Sequence, residues 1–444
     1  MAEVTLLIMS TILVLGVIAY GRAKKTGFDM LDAYFLMVML YLGVYSMIDA
    51  VVNGAAGKDA MIVVLTFALI FTAMLITWGL YLMLPLSSRW VLRFDSLTEQ
   101  WANVDHKTIA YLAAIFFAFN TYVFLEFGVL TYVGTEIELL NISVPSWIGP
   151  TKALVNAIGF GIYVCIVASI LKGRIRVFSF FGVVLFALVI VLTLEGRRAF
   201  LELVVFAFIL WSCCRRENVY SAKRVPHVVM MLVAFFVLSN IYQTYRGEVL
   251  SLQARLDGRE VTSLMSAAGN LDATIENYRQ RLAMWNFNYM ITAEQVKSPT
   301  KIFFGAMGWQ SLLNSLPAIV FDSKNVVDPD EMVAQLYGFP AFDHPDYPTN
   351  DFATFLADFG VLMLVFLPIM NVLVLWLVSC FHFIKNRTLF LLVSTLCLQY
   401  LIKVENSYDI FILLRNILFL SILWSIGTLL GRVCRGAVLT RNSV

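Results

Sequence analysis

Two adjacent arginines in a short turn are the first residues of this chain whose position suggests chemistry. The turn Glu195-Gly196-Arg197-Arg198 separates two apolar runs, and Arg198 lies four residues before Glu202, so this pair can meet on one helix face. A guanidinium presents a planar fork of donors that suits phosphate oxygens. The turn therefore predicts an anion clamp. The alternative is a pair of interfacial arginines that only anchor the turn.

Arginines also stand beside aromatic residues at two later points. Tyr245 and Arg246 follow the eighth apolar run, and Arg279, Arg281 and Trp285 come some thirty residues later. On a helix, the spacing of Arg281 and Trp285 places a cation beside an aromatic plane, a pairing that suits sugar rings and phosphates. The alternatives are an ordinary interfacial aromatic belt for the first pair and a solvated helix face for the second.

A polar, proline-containing segment leads into the ninth apolar run. It spans residues 343–352 and includes His344, Asn350 and Asp351; Asp358 lies two turns beyond Asp351 on the same face. A carboxylate or imidazole that is partly desolvated can act as a general base. The alternative is that these residues only cap the helix that follows.

Arg415 lies about a turn and a half inside the last apolar run. An arginine in a membrane segment is a functional-site hypothesis by default. The alternative is a structural pair with Glu126 or Glu202 from another helix. The four histidines have no ligand spacing, so neither a metal site nor another cofactor is expected.

The composition identifies the class of protein that must position these residues. Of the 444 residues, 60% are hydrophobic and 14% are charged, and the mean hydropathy is +0.80. A soluble domain is roughly 45–50% apolar and about 25% charged. Long apolar runs also exclude a membrane barrel, whose strands alternate. The formal net charge of +2 gives no reason to expect nucleic-acid binding. The chain is therefore predicted to be an all-α, polytopic integral membrane protein.

Runs of about 20 apolar residues predict eleven transmembrane helices. They lie near residues 4–20, 29–51, 60–87, 109–132, 153–171, 177–194, 199–214, 226–242, 352–380, 388–402 and 409–430. The predicted organisation is spans one to eight in residues 1–240, a large loop over 241–350, and spans nine to eleven in 351–444. This loop holds 20 of the 62 charged residues and 6 of the 11 prolines.

The distribution of basic residues sets the predicted orientation. One set of alternate connections, together with the C-terminal tail, carries 18 of the 32 lysines and arginines. Because such loops stay in the cytoplasm, the N-terminus is predicted outside and the C-terminus inside. The large loop and the turn at Arg197 and Arg198 then face outward. The apolar run 302–321 is predicted to be an interfacial or re-entrant element, because a twelfth span would turn the later basic loops outward.

Taken together, these features resemble the bacterial O-antigen polymerase and O-antigen ligase group. That group combines many spans with one large, late periplasmic loop. The pieces that carry the resemblance here are Glu195-Gly196-Arg197-Arg198-Ala199, then Arg281…Trp285…Pro299…Gly305…Gly308, then Thr349-Asn350-Asp351-Phe352…Leu356…Phe359-Gly360. They cover roughly residues 180–380. Where ligases have a histidine before the asparagine, this chain has Thr349, and the nearest histidine is His344. This difference and the eleven-span count favour polymerase over ligase.

The resemblance implies a GT-C-like glycosyltransferase in the bacterial inner membrane, with its active site facing the periplasm. Its substrates would be undecaprenyl-pyrophosphate-linked oligosaccharides, and a co-polymerase would regulate chain length. The base for the acceptor hydroxyl would be Asp351, His344 or Glu195. The residues implied for binding substrate and pyrophosphate are Arg197, Arg198, Tyr245, Arg246, Arg279, Arg281, Trp285, Asn350 and Arg415. The alternatives are an O-antigen ligase and, from a different class, a transporter or flippase of lipid-linked oligosaccharide.

Overall fold

In the computed structural model, the described residues are almost entirely helical. They are 27–44, 59–127, 148–172, 206, 284–316, 329–337, 350–383, 386–403, 410–422 and 424–426. Within these ranges no β-strand occurs, and the single isolated bridge joins Asp29 to Arg93. The predicted all-α class is therefore confirmed for this part of the chain.

The N-terminal half of the described chain contains six α-helices. They are α1 (Met30–Val38), α2 (Ala60–Leu82), α3 (Leu86–Val91), α4 (Phe94–Ala102), α5 (His106–Phe127) and α6 (Ile148–Leu171). A π-helical stretch, Met39–Val44, continues α1. Helix α2 ends at Leu82, earlier than the span predicted over 60–87, because Pro85 cannot continue a helix. Pro85 instead occupies the N-cap position of the short helix α3.

The C-terminal half contains seven further helices. They are α7 (Met284–Lys297), α8 (Ala306–Ser315), α9 (Pro329–Tyr337), α10 (Asp351–Phe359), α11 (Met363–His382), α12 (Arg387–Lys403) and α13 (410–422). The first three lie in the large loop predicted from the sequence, and α10 begins directly after it.

Three helical segments are long and apolar enough to cross a membrane. They are Ala60–Leu82, Leu154–Leu171 and Asp351–His382. The last of these contains a break at Gly360, so its long apolar helix is Met363–His382. The two shorter apolar helices α12 and α13 coincide with the last two predicted spans. A membrane protein is thus supported, and the count of eleven spans stays a prediction. The runs 4–20, 177–194, 199–214 and 226–242 lie outside the described residues, apart from Phe206.

The predicted ninth span is interrupted by a reversal of the chain. Gly360 ends α10 with φ +58° and ψ −136°, and a single 3₁₀ turn leads into α11. Phe359 then stacks on Phe366 with ring centroids 4.3 Å apart. Phe355 and Ile369 line the same cleft, although a continuous helix would separate them by about 21 Å. Helices α10 and α11 therefore form a hairpin.

Replacing the glycine at this reversal is expected to destabilise the protein. Gly360→Ala forces an L-residue into a conformation reserved for glycine, which costs about 1–3 kcal/mol, and the new Cβ would lie 3.4 Å from Ile302 Cγ2. The midpoint of thermal unfolding in detergent should fall. Gly79→Ala in α2 is the matched control, since nothing lies within 4 Å of its Cβ position and helix propensity improves. Equal midpoints for the two variants would contradict the assignment.

Close helix packing surrounds this hairpin. Helix α11 packs along α2, and α6 packs against α4, α5 and α12. Gly159 of α6 lies directly against the ring of Phe116 in α5, where a Cβ would come within 2.5 Å of the ring. Small residues at such crossings let helices approach closely, which is the usual source of stability between helices in a membrane.

Candidate active site

Asn350 and Asp351, which the sequence singled out, begin α10 and are almost completely buried. Asn350 has an extended backbone and caps the helix: its Oδ1 accepts a hydrogen bond from the Ala353 N–H at 3.0 Å. The same oxygen accepts a bond of 3.2 Å from Nδ2 of Asn288 in α7. The exposed fractions of Asn350 and Asp351 are 0% and 3%. The capping alternative is therefore correct for Asn350, and burial gives Asp351 an environment unlike that of an ordinary first-turn aspartate.

Two buried polar side chains from other helices lie in the neighbourhood of Asp351. Tyr34 of α1 is near enough to be influenced by the Asp351 charge, and its hydroxyl lies near the amide of Asn371, which is in the middle of α11. Tyr34 is 1% exposed and Asn371 is 0% exposed. We call Tyr34, Asn288, Asn350, Asp351 and Asn371 the buried polar cluster.

Part of this cluster lacks hydrogen-bond partners. Among the described residues, no group meets hydrogen-bond geometry with Tyr34 Oη, with Asn371 Nδ2 or with Asn371 Oδ1. A buried polar atom without a partner costs about 1–3 kcal/mol, and native proteins keep few of them. Tyr34 and Asn371 lie near each other, and atoms of the same kind also occur in the described residues at Asn120, Asn156 and Gln310.

A network of side-chain bonds holds α10 against α7 and the loop helices. Gln295 Nε2 donates to the Leu356 carbonyl at 2.6 Å and to Tyr337 Oη at 3.1 Å. The Tyr337 hydroxyl in turn donates to the carbonyl of Lys301 at 2.7 Å. Burial raises the pKa of Tyr337 above its usual value of 10.0, so the hydroxyl keeps its proton for this bond at neutral pH. These bonds connect α7, α9 and α10 in one unit.

Asp358, at the other end of α10, anchors the start of α8. Its carboxylate accepts hydrogen bonds from three backbone N–H groups: Gly305 at 2.9 Å, Met307 at 3.3 Å and Gly308 at 3.0 Å. Gly305 precedes α8 with φ +88° and supplies no side-chain cap, so Asp358 takes that role from 53 residues away. An anion is favourable there because of the helix dipole. Asp358 thus has a structural role at the start of α8, and the predicted role of Asp351 as a base stays a prediction.

Arg415 holds the opposite end of α8. Its Nη1 donates to the carbonyl of Ser315, the last residue of α8, at 3.3 Å, and Nε and Nη2 each lie 3.3 Å from Asn416 Oδ1. A cation at a helix C-terminus is again favourable for the dipole. The predicted role of Arg415 in binding phosphate stays a prediction. The contact seen here ties α13 to α8.

An apolar cleft lies between α8, α10, α11 and α13. Its volume is about 270 Å³. Most of its wall is aromatic or aliphatic, and the lining includes Trp309, Phe355, Phe359, Phe366, Met370 and Phe411. Trp309 is 59% exposed, so the cleft opens at the surface of the described part of the protein. Such a cleft is suited to a hydrocarbon chain.

The remaining predicted site residues are not placed by the structure. Trp285 lies in the first turn of α7, and its side chain is outside the description. Outside the described residues are also Glu195, Arg197, Arg198, Tyr245, Arg246, Arg279, Arg281 and His344. Their roles stay predictions. In the described ranges, no three His, Cys, Asp or Glu side chains are grouped so as to hold a metal.

Three members of the cluster were missed by the sequence argument. Asn371 carried a usable signal, since it is an amide in the middle of the apolar helix α11. Tyr34 and Asn288 carried none, because tyrosine and asparagine are common near helix ends and in loops. Comparison of the chain with protein-family models, with curated proteins and with solved structures found no match in any of the three.

Proposed function

We propose that this chain is a membrane glycosyltransferase that polymerises lipid-linked oligosaccharide repeat units, of the O-antigen polymerase kind. The observation that carries the proposal is the almost complete burial of Asp351 at the start of α10, inside an apolar helical protein. A buried carboxylate is suited to general-base catalysis.

The reaction needs one proton transfer and one anionic leaving group. In the proposed step, an acceptor hydroxyl oxygen attacks the anomeric carbon of the donor glycan, and Asp351 takes the hydroxyl proton. The bond between that carbon and the pyrophosphate oxygen breaks, and undecaprenyl pyrophosphate leaves with the electron pair. The activated leaving group needs no further reactant. His344 and Glu195 are the alternative bases.

Negative charge that develops on the pyrophosphate needs fixed cations near it. The residues proposed for this task are Arg197, Arg198, Arg246, Arg279, Arg281 and Arg415. Tyr245 and Trp285 are proposed to stack on sugar rings, and Asn350 is proposed to orient the start of α10 and thereby Asp351. The apolar cleft is a suitable place for part of the polyprenyl chain, because it combines aromatic walls with an open side.

The proposed location is the bacterial inner membrane, with the site facing the periplasm, where the repeat units would arrive. A chain-length-regulating co-polymerase is the proposed protein partner. An O-antigen ligase would use the same donor with a different acceptor. The hairpin of α10 and α11 also favours a second candidate, a transporter or flippase, since transporters often place buried polar residues at broken helices.

A reconstitution experiment separates these candidates. Undecaprenyl-pyrophosphate-linked repeat units, extracted from a strain in which this gene is disrupted, are mixed with the purified full-length protein in detergent. A polymerase is expected to yield a ladder of longer lipid-linked glycans. Transport alone produces no ladder in detergent, so single units after prolonged incubation would contradict the proposal. Glycan joined only to added lipid A core would indicate the ligase.

A further inference from the structure

We infer that a pocket at the C-terminal end of α11 binds the phosphate headgroup of an anionic phospholipid, at a site separate from the one proposed for glycan transfer. The pocket lies between α3 and the last turn of α11, and its volume is about 230 Å³. None of the described residues that line it is acidic. The lining includes three serines, one histidine and two aromatic residues, which are Ser87, Ser88, Ser379, His382, Trp90 and Phe383.

The pocket lies where two long apolar helices end on the same side of the molecule. Helix α2 ends at Leu82 and leads into α3, and α11, which packs along α2, ends at His382 beside α3. The distribution of basic residues predicts that this side faces the cytoplasm. A pocket between the ends of membrane helices lies at the level of the lipid headgroups.

Exposed apolar side chains flank the pocket and favour a lipid over a soluble phosphate. Met83, Leu86 and Trp90 follow one another at intervals of three and four residues, and all three are largely exposed, as is Phe383. Tryptophan is enriched at the level where the apolar core of a membrane meets the headgroups. Acyl chains can therefore lie along these side chains while the headgroup occupies the pocket.

Two kinds of hydrogen-bond donor in the pocket have no partner within the described residues. Ser88 is 8% exposed, yet neither its hydroxyl nor that of Ser87 forms a hydrogen bond there. Nδ1 of His382 lies 3.4 Å from Nε2 of Gln100, and because an amide nitrogen donates, Nδ1 accepts and Nε2 carries the ring proton. Hydroxyls and an imidazole N–H are suited to the oxygens of a phosphodiester, which only accept.

Arg89 supplies the positive charge that selects an anionic lipid. It lies between Ser88 and Trp90 in α3, and its Nε is buried without a hydrogen-bond partner among the described residues. Arg93, four residues further, already pairs with Asp95 at 2.8 Å, so its charge is balanced. A headgroup with a net negative charge gains the attraction of Arg89, whereas a zwitterionic headgroup brings a cation of its own and gains less.

Ser379 adds a preference for a headgroup that carries hydroxyl groups. Its Oγ donates a hydrogen bond to the carbonyl of Trp376 at 2.7 Å, so the oxygen can still accept one. The glycerol of phosphatidylglycerol can donate such a bond, and its phosphodiester carries the negative charge. Phosphatidylglycerol is therefore the lipid that fits the pocket best.

The test measures how lipids shift the unfolding temperature of the full-length protein, purified in a mild detergent. Dioctanoyl phosphatidylglycerol should raise this temperature at lower concentration than dioctanoyl phosphatidylcholine. Arg89→Gln and Ser88→Ala should each raise the phosphatidylglycerol concentration at half of the shift about tenfold, the effect of losing one charge-assisted hydrogen bond. Without lipid, neither variant should unfold at a lower temperature, because the groups removed have no partner within the described residues.

Matched controls remove the same kinds of group elsewhere. Arg387→Gln removes an exposed cation on the same side of the molecule, which bonds to the carbonyl of Asn103 at 3.3 Å, and Ser421→Ala removes a hydroxyl in α13. Both should keep the wild-type response to phosphatidylglycerol. Equal responses of the wild type to the two lipids, or a wild-type response in Arg89→Gln and Ser88→Ala, would overturn the inference.

Glycerol phosphate separates the lipid from a soluble phosphate ligand. It carries a phosphate and a glycerol without acyl chains, and it should leave the unfolding temperature unchanged at concentrations where phosphatidylglycerol saturates. A shift equal to that of the lipid, and abolished by the same variants, would show that the pocket takes a soluble phosphate and that the lipid assignment is wrong. Lipid binding is measured without glycan elongation, so its outcome is independent of the proposed function.

Discussion

Asp351→Asn is expected to lower kcat for glycan elongation by about 100- to 10,000-fold, the range over which a positioned general base accelerates a reaction. The amide has the same shape as the carboxylate but cannot take the acceptor proton. The Asn350 cap does not use the Asp351 side chain, so α10 should still form. The measurement is single-turnover elongation of the extracted repeat units by purified protein, together with the unfolding temperature.

The control for this experiment is a carboxylate from the same region without a place in the cluster. Glu294 in α7 bonds to Lys297 at 3.0 Å and to Lys301 at 3.3 Å. Glu294→Gln should keep the wild-type rate, since exposed ion pairs contribute little. A wild-type rate in Asp351→Asn would indicate that His344 or Glu195 is the general base. If Asp351→Asn yields no folded protein, the carboxylate has a structural role.

Asp358→Ala is expected to give the largest loss of local stability, about 2 kcal/mol, because three backbone N–H groups lose their shared acceptor. The effect should be confined to the start of α8. Hydrogen exchange followed by mass spectrometry should show the amides of Gly305, Met307 and Gly308 exchanging about 30-fold faster, which is the same energy expressed as a rate.

Two further variants sharpen this prediction. Asp358→Asn keeps one acceptor oxygen and should lose less protection than Asp358→Ala. Asp95→Ala removes a carboxylate that is 56% exposed and pairs with Arg93 at the surface, so it should leave exchange in α8 unchanged. Unchanged protection of all three amides in Asp358→Ala would show that Asp358 is not the cap.

Local patterns in the sequence were sufficient for several of the described helices and for the cap at the start of α10. The apolar run that begins at residue 60 predicted α2, because length and hydropathy alone identify such a helix. Asn350 and Asp351 were singled out because polar residues stand directly before an apolar run. Asn350 is the cap of the helix, as the capping alternative predicted, and the catalytic role of Asp351 stays a prediction.

Contacts between distant segments had no local signature. Gly360 stands in an apolar run where a glycine is tolerated in a helix, so nothing indicated the reversal that the structure has there. Tyr34 precedes Asp351 by more than 300 residues, and only packing brings Tyr34 near enough to be influenced by the Asp351 charge. The same holds for Asp358 and Gly305, whose contact depends on how α8 folds back on α10.

Helix α8 is held at both ends, by Asp358 and by Arg415, and it forms part of the wall of the apolar cleft. Helix α8 has ten residues and is therefore about 15 Å long. Asp358 of α10 forms hydrogen bonds with its first turn, and Arg415 of α13 forms one with its last residue. The length of α8 therefore sets the separation between α10 and α13. A ligand wider than the space between α10 and α13 would have to break the hydrogen bonds of Asp358 or of Arg415 to α8. The width of the cleft therefore depends on these two sets of hydrogen bonds.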